Sequence, residues 1–216
     1  MELLDERWTV LVVRELVLGS RRFNDLRRGL PRISPTLLSK RLRQLVLAGI
    51  VTRSDDDGEA TYGLTEAGRE LRPIVEAIGV WGTRWIGELG DAELDPKLLL
   101  WDMHRNVLHD RLPAGRSVVE FTFTDVPGPN RHWWLVLSPD DADVCDDDPG
   151  YDVSVHISAT LRRMTQIWRG DLTWAASIRA GDPALHGTRP LCRALPNWFA
   201  LSPFAPVPRP TFDRQD

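Results

Sequence analysis

From Trp8 to Leu18 the chain reads WTVLVVRELVL, apolar around most of its circumference, with Gly19 to close it. Such a run predicts a buried helix. Phe23–Gly29 predicts a short second helix with Arg21 and Arg22 at its start, and Pro31 breaks the chain after it. Ser34-Pro35 then supplies an N-cap residue followed by proline at the first helical position. The helix it opens runs to about Leu47, where Gly49 suits a left-handed C-terminal residue. Ile50–Arg53 and Ala60–Leu64 are short strands on either side of Asp57-Gly58, a hairpin turn pair. From Thr65 the pattern predicts a long helix to about Glu88, which Pro73 either kinks or starts.

Gly90–Pro96 reads as a linker, and Leu98–Leu112 as a helix. The period then changes from helical to alternating. Val119, Phe121 and Phe123 alternate with polar neighbours, as do Tyr151, Val153, Val155 and Ile157, so both stretches predict half-buried strands. His132–Leu137 is a further strand and Ala142–Asp146 a weaker one. Leu161, Met164 and Trp168 keep helical spacing, and helices are also expected over Leu172–Ile178 and Pro190–Leu201. The proline-rich end predicts an extended, poorly ordered tail. The expected organisation is α+β in two domains: an α-rich one over residues 1–90 and an α+β one over 98–205, with a disordered tail at 206–216.

Charge sharpens this division. The 216 residues carry a net charge of −4, with 27 basic and 31 acidic side chains. Between Arg14 and Arg53, however, ten basic residues face two acidic ones, a local +8, so the remainder carries −12. A basic module inside an acidic chain is the footprint of a polyanion binder. Its order of helix, short helix, capped helix and two-stranded hairpin is that of a winged helix-turn-helix. At about 100° per residue, Thr36, Ser39, Lys40 and Arg43 share one narrow arc, while Leu38, Leu42 and Leu45 lie opposite. One face buries against the bundle. The other offers hydroxyls and cations to guanine edges and phosphates in a major groove. Arg41 falls off this face. Arg21, Arg22, Asn24 and Arg53 are the expected backbone-positioning residues, and Ser34 the cap.

Residues 8–53 also resemble the core of the HxlR-type winged-helix regulators of bacteria. The resemblance rests on Trp8-Thr9, Arg14-Glu15-Leu16, Arg22-Phe23-Asn24-Asp25-Leu26, Ile33-Ser34-Pro35 and the Leu45–Gly49 stretch, and it extends through Leu64–Gly68 to about residue 88. It implies a dimeric DNA-binding repressor or activator. Members usually carry a further helix, often with a cysteine, before the position of Asp5. The sequence starts there, from which a shortened start or a reduced dimer interface is expected, and no cysteine stands there for redox or electrophile sensing. The wing tip, Asp55-Asp56-Asp57-Gly58-Glu59, is acidic where the family tends to be basic, so Arg53 at the wing base is the expected contact and the tip is expected to face solvent.

Leu71, Ile74, Ile78, Trp81 and Trp85 are spaced alternately three and four apart, a coiled-coil-like dimerisation seam or a stripe packed on its own domain. A two-fold dimer would set two recognition helices about 34–36 Å apart on a pseudo-palindromic double-stranded DNA operator.

The second half offers no nucleophile–base pair, so no catalytic residue is expected. The five histidines do not cluster, and the aspartates around Cys145 lack the glycine and closing glutamate of a calcium loop, so neither a metal nor a cofactor is expected. Cys145 and Cys192 form no disulfide framework, no stretch reads as a signal peptide or membrane span, and a cytoplasmic protein without membrane partners is expected. Phe121, Phe123, Trp134, Met164, Trp168 and Trp198 either fill a core or line a cavity for a hydrophobic small-molecule effector. Residues 98–205 resemble the sterol-carrier-protein-like lipid-transfer fold, most clearly in Trp168-Arg169-Gly170-Asp171-Leu172 and Trp198–Ala205, which implies a tunnel for an apolar molecule or a domain kept for association. The alternative to a regulator is a lipid or small-molecule carrier whose basic module serves only association.

Overall fold

The computed structural model describes residues 2–56, 58–86 and 89–210. The chain divides into a first unit, Met1–Gly87 continuing at Pro208, and a second, Glu88–Val207. The first unit runs α1 (Glu2–Asp5), α2 (Thr9–Val17), α3 (Phe23–Gly29), α4 (Pro35–Leu47), β1 (Val51–Asp56), β2 (Glu59–Leu64), α5 (Glu66–Arg69) and α6 (Arg72–Trp85). Val12, Leu26, Leu38, Leu42 and Leu45, each essentially inaccessible, form the centre of its core. The apolar run of α2 is therefore spent on burial, and the leucine face of α4 closes over it. The hairpin pairs Val51 with Leu64 through to Asp56 with Glu59.

The helix expected from Thr65 to Glu88 is two helices. Thr65 caps α5, its hydroxyl accepting from the Gly68 amide at 3.0 Å, and that turn ends at Arg69. Pro73 sits in the first turn of α6, so it marks a start. Residues 87 and 88, at the expected end, lie outside the described residues.

The second unit runs α7 (Pro96–His104), β3 (Ser117–Phe123), β4 (His132–Leu137), β5 (Ala142–Cys145), β6 (Val155–Ala159), α8 (Leu161–Trp168), α9 (Trp174–Arg179), β7 (Ala184–Gly187) and α10 (Arg189–Ala194). Its sheet has the order β5-β4-β3-β6-β7. The pairs are antiparallel except β3 with β6, which are parallel. Phe121 faces Trp133 on one side and Ile157 on the other, in the row that builds the buried face. The start of α8 is held by carboxylates from two directions. Asp125 accepts from the Leu161 amide at 2.6 Å, and Asp182 from the Thr160 hydroxyl at 2.8 Å, which places negative charge where a helix start favours it.

Four expectations need correction here. The helix expected over Leu98–Leu112 stops at His104, after which Val107 bridges Phe199. The strand expected from Tyr151 begins at Val155; Tyr151 and Val153 remain exposed, and Arg116 stacks on the Tyr151 ring 4.0 Å from its centre. The last helix shrinks to Arg189–Ala194 with a 3-10 turn, Leu195–Asn197. The Gly90–Pro96 linker contains a 3-10 turn at Asp91–Glu93. The sequence pattern also missed β7, four residues bracketed by Pro183 and ending on Gly187. Of the tail, residues 211–216 lie outside the described residues; at Arg209 the guanidinium Nε donates to the Thr83 carbonyl, within the first unit.

Candidate nucleic-acid interface

The geometry of α4 follows from its two ends and two faces. Ser34, extended, accepts from the Leu37 amide through its hydroxyl at 3.3 Å, and Pro35 fixes the first turn. Leu38, Leu42 and Leu45 point into the core. Thr36, Ser39, Lys40 and Arg43 are all exposed on the opposite side. Two hydroxyls and two cations thus stand on one side of a capped helix, the donor set that guanine O6 and N7 and phosphate oxygens accept.

Arg41 belongs to the interior. It is 6% exposed, donates to the Arg7 carbonyl at 2.9 Å and to Gln44 Oε1 at 2.7 Å, and ion-pairs with Glu6. It ties α4 to the segment before α2, and its charge is unavailable to a ligand. Its angular position set it off the polar face but gave no sign of burial.

A second joint sets α3 against α2. Glu15 is fully buried, its carboxylate receiving Arg14 at 2.8 Å and the Ser20 hydroxyl at 3.3 Å. Arg14 also donates to the Gly29 carbonyl at 3.1 Å. Gly29 is required by space: a Cβ there would lie 1.8 Å from Glu15 Oε2. Sequence reading did not single out this joint, because nothing in a helical period says that an acid one turn from the end of an apolar helix is inside.

The start of α3 is fastened to the wing. The Tyr62 amide donates to the Arg21 carbonyl at 2.8 Å, and Arg22 bridges Thr61. Arg21, Arg22 and Asn24 are exposed beside β2. Two acids near the tip are exposed and also partnered: Glu59 Oε2 lies 3.1 Å from Arg22 Nε, and Asp55 Oδ1 lies 2.9 Å from an Arg53 terminal nitrogen. Asp57 at the tip is outside the described residues. Among the described residues no carboxylate pairs with Arg21, Lys40 or Arg43.

No residue of α6 is buried, although the helix is amphipathic. Ile74, Ile78, Trp81 and Trp85 are each about half exposed, and Pro73, Ile74, Ala77, Ile78 and Trp81 line an open groove of about 470 Å³. Leu71 differs, packing with Val75 against its own core.

In the second unit the structure brings together Phe121, Phe123, Met164, Trp168 and Trp198, all in one core and nearly or fully inaccessible. Trp134 does not join them. It pairs with Glu120 and is only half-buried, on the sheet face opposite Phe121, whereas Trp133 faces inward at 3% exposure. Both alternating rows, Trp133-Leu135-Leu137 and Trp134-Val136, are apolar, so the pairing of Trp133 with Phe121 decides between them. The Trp198 indole N–H is buried without a hydrogen-bond acceptor among the described residues. Cys145 and Cys192 are free thiols. Among the described residues no three His, Cys, Asp or Glu side chains are placed to hold a metal ion, and no helix is long and apolar enough to cross a membrane.

Residues 3–89 match the model of the HxlR-like helix-turn-helix family. The HTH-type transcriptional regulator YvaP of Bacillus subtilis (strain 168) is 38% identical over 89 residues, 40% of this chain and 82% of that protein. The HTH-type transcriptional regulator Rv3095 of Mycobacterium tuberculosis (strain ATCC 25618 / H37Rv) is 44% identical over 89 residues, and the chain spans only 56% of its length. Among solved structures, the reduced form of the transcriptional regulator YodB from B. subtilis is 30% identical, with 39% of this chain and 85% of that one covered at a TM-score of 0.35. With the family model over residues 3–89 and a 38% identical relative covered over four-fifths of its length, the chain belongs to the HxlR-like helix-turn-helix family of transcriptional regulators.

Proposed function

We propose that the protein is a cytoplasmic, homodimeric transcription regulator that binds a pseudo-palindromic DNA operator, without catalytic activity of its own. The observation that carries this reading is the exposed set Thr36, Ser39, Lys40 and Arg43 on one face of a helix that is capped by Ser34 and buried along its leucine face. Lys40 and Arg43 read base edges with Thr36 and Ser39 beside them, while Arg21, Arg22, Asn24 and Arg53 meet the phosphates. If several phosphates are engaged per dimer, affinity falls by about 10³-fold or more between about 50 and 200 mM salt. A flat salt response on the DNA recovered by genome-wide pull-down with purified protein overturns the reading.

The half-exposed row Ile74, Ile78, Trp81 and Trp85 supports the dimer, since these apolar side chains stand open to solvent while Val75 of the same helix packs against the core. Leu71 stands at the edge of that seam.

For the second unit we propose a sterol-carrier-like domain over about residues 98–205 that takes a hydrophobic effector. In this reading the effector enters among Phe121, Phe123, Met164, Trp168 and Trp198, which share one core, and Trp134 takes no part. The buried Trp198 N–H supports a ligand with an oxygen acceptor on an apolar body. Fatty or isoprenoid-like molecules are expected to shift tryptophan emission and DNA affinity together. A shift in emission with no change in DNA affinity favours the carrier alternative.

A further inference from the structure

Two of the arginines assigned to phosphate contacts are already occupied, and both by carboxylates of the wing. Arg22 Nε is 3.1 Å from Glu59 Oε2, and Arg53 is 2.9 Å from Asp55 Oδ1. The backbone enforces both encounters. The Tyr62 amide on Arg21 and the Arg22–Thr61 bridge hold the start of α3 against β2, which opens at Glu59. Arg53 and Asp55 are two residues apart on β1, so their side chains leave the same face of the strand.

We propose that Glu59 and Asp55 act as a built-in brake on duplex binding, setting how much of the first unit's positive charge DNA can use. The proposal rests on the DNA-binding reading above. All four side chains are more than half exposed, so each pair is weak in water and phosphate can displace it. Displacement leaves a carboxylate within a few ångströms of the phosphate, well inside the Debye length of about 10 Å at 0.1 M salt, so the repulsion persists. This penalty is the same for every sequence. Non-specific binding, which is almost wholly phosphate contact, has nothing to set against it; a true operator has the base contacts of α4. Without the brake, Arg22 and Arg53 would add their full charge to what every duplex meets, whatever its sequence.

The test is fluorescence anisotropy of a labelled mixed-sequence duplex with the full chain across a salt series. Glu59→Gln with Asp55→Asn is expected to tighten binding about 10-fold at low salt and to steepen the log–log salt slope by about one to two ions. Glu70→Gln, set against Glu59→Gln alone, removes the same single charge at an exposed position outside the wing, and is expected to change affinity by less than about twofold. In an Arg22→Ala background the gain from Glu59→Gln is expected to fall by at least about half, because the arginine it would free is gone. A double variant that matches the parent in affinity and slope, or a Glu59→Gln gain untouched by Arg22→Ala, overturns the brake while leaving DNA binding intact. If neither parent nor variant binds duplex at low salt, the DNA reading falls and the brake with it.

Discussion

Lys40 and Arg43, like Arg21, pair with no carboxylate among the described residues, whereas Arg14, Arg22, Arg41 and Arg53 are each engaged by one. The charge counted along the chain is thus larger than the charge presented at the surface. Lys40→Ala or Arg43→Ala is expected to cost about 1–3 kcal/mol on the cognate site, measured by titration against a base-substituted duplex. Equal losses on both duplexes would assign them to phosphate contact. At Gly29, substitution by alanine drives a methyl into the Glu15 carboxylate, and urea unfolding is expected to show a loss of about 1–3 kcal/mol. The exposed polar face of α4 was legible in the sequence because four polar positions repeat with the helical period. The fate of Arg41 was not, because its partners Glu6 and Arg7 lie far back in the chain and only the folded bundle brings them near. Trp133 and Trp134 show the same limit in a strand: alternation says that one of them faces the core, and the cross-strand register says which.

At the scale of elements, local chemistry located what tertiary contacts did not override. Ser34-Pro35 marks the start of α4, and Ser34→Ala is expected to lower stability by about 1 kcal/mol, read from the thermal or denaturant midpoint. Pro73 gave a true start, yet the break between α5 and α6 was not visible, since Leu71 is apolar and the stripe continues through it. The strand β7 escaped notice because four residues hold too little alternation to register, and its strand character comes from pairing with β6. The ends of α7 and α10 were overextended for the opposite reason: the apolar period runs on while the backbone turns to form the Val107–Phe199 bridge. In α6, Ile78→Glu places a charge in the middle of the exposed apolar row and is expected to convert a dimer to monomers in sedimentation velocity. An unchanged sedimentation coefficient would move the dimer contact elsewhere.

At the scale of the whole molecule, the two units differ in how far apart in sequence their partners lie. The first forms its core within Met1–Gly87, with a hairpin closed by a tight turn and α2 packed by both α3 and the later Val75 of α6, and Arg209 returns to it from Pro208 onward. The second pairs β3 in parallel with β6, across the intervening β4 and β5, and ties Val107 to Phe199. Domain composition was readable from the change of period near residue 113, whereas this wiring was not, since periodicity carries no information about which strands meet. Long-range and parallel pairings slow folding because the chain entropy of closure comes before any contact rewards it. Refolding from denaturant is therefore expected to show two phases, the faster one reporting on the first unit, with a Trp133 or Trp198 signal confined to the slower. During synthesis the same wiring sets an order of events. The winged unit's own core can form as soon as residues up to about 86 have emerged, but the helix-and-sheet unit must keep Val107 and the inner face of β3 waiting until Phe199 leaves the ribosome. For that interval the nascent chain carries a winged core whose closing segment from Pro208 is still to come, beside a second unit that cannot yet form its Val107–Phe199 bridge.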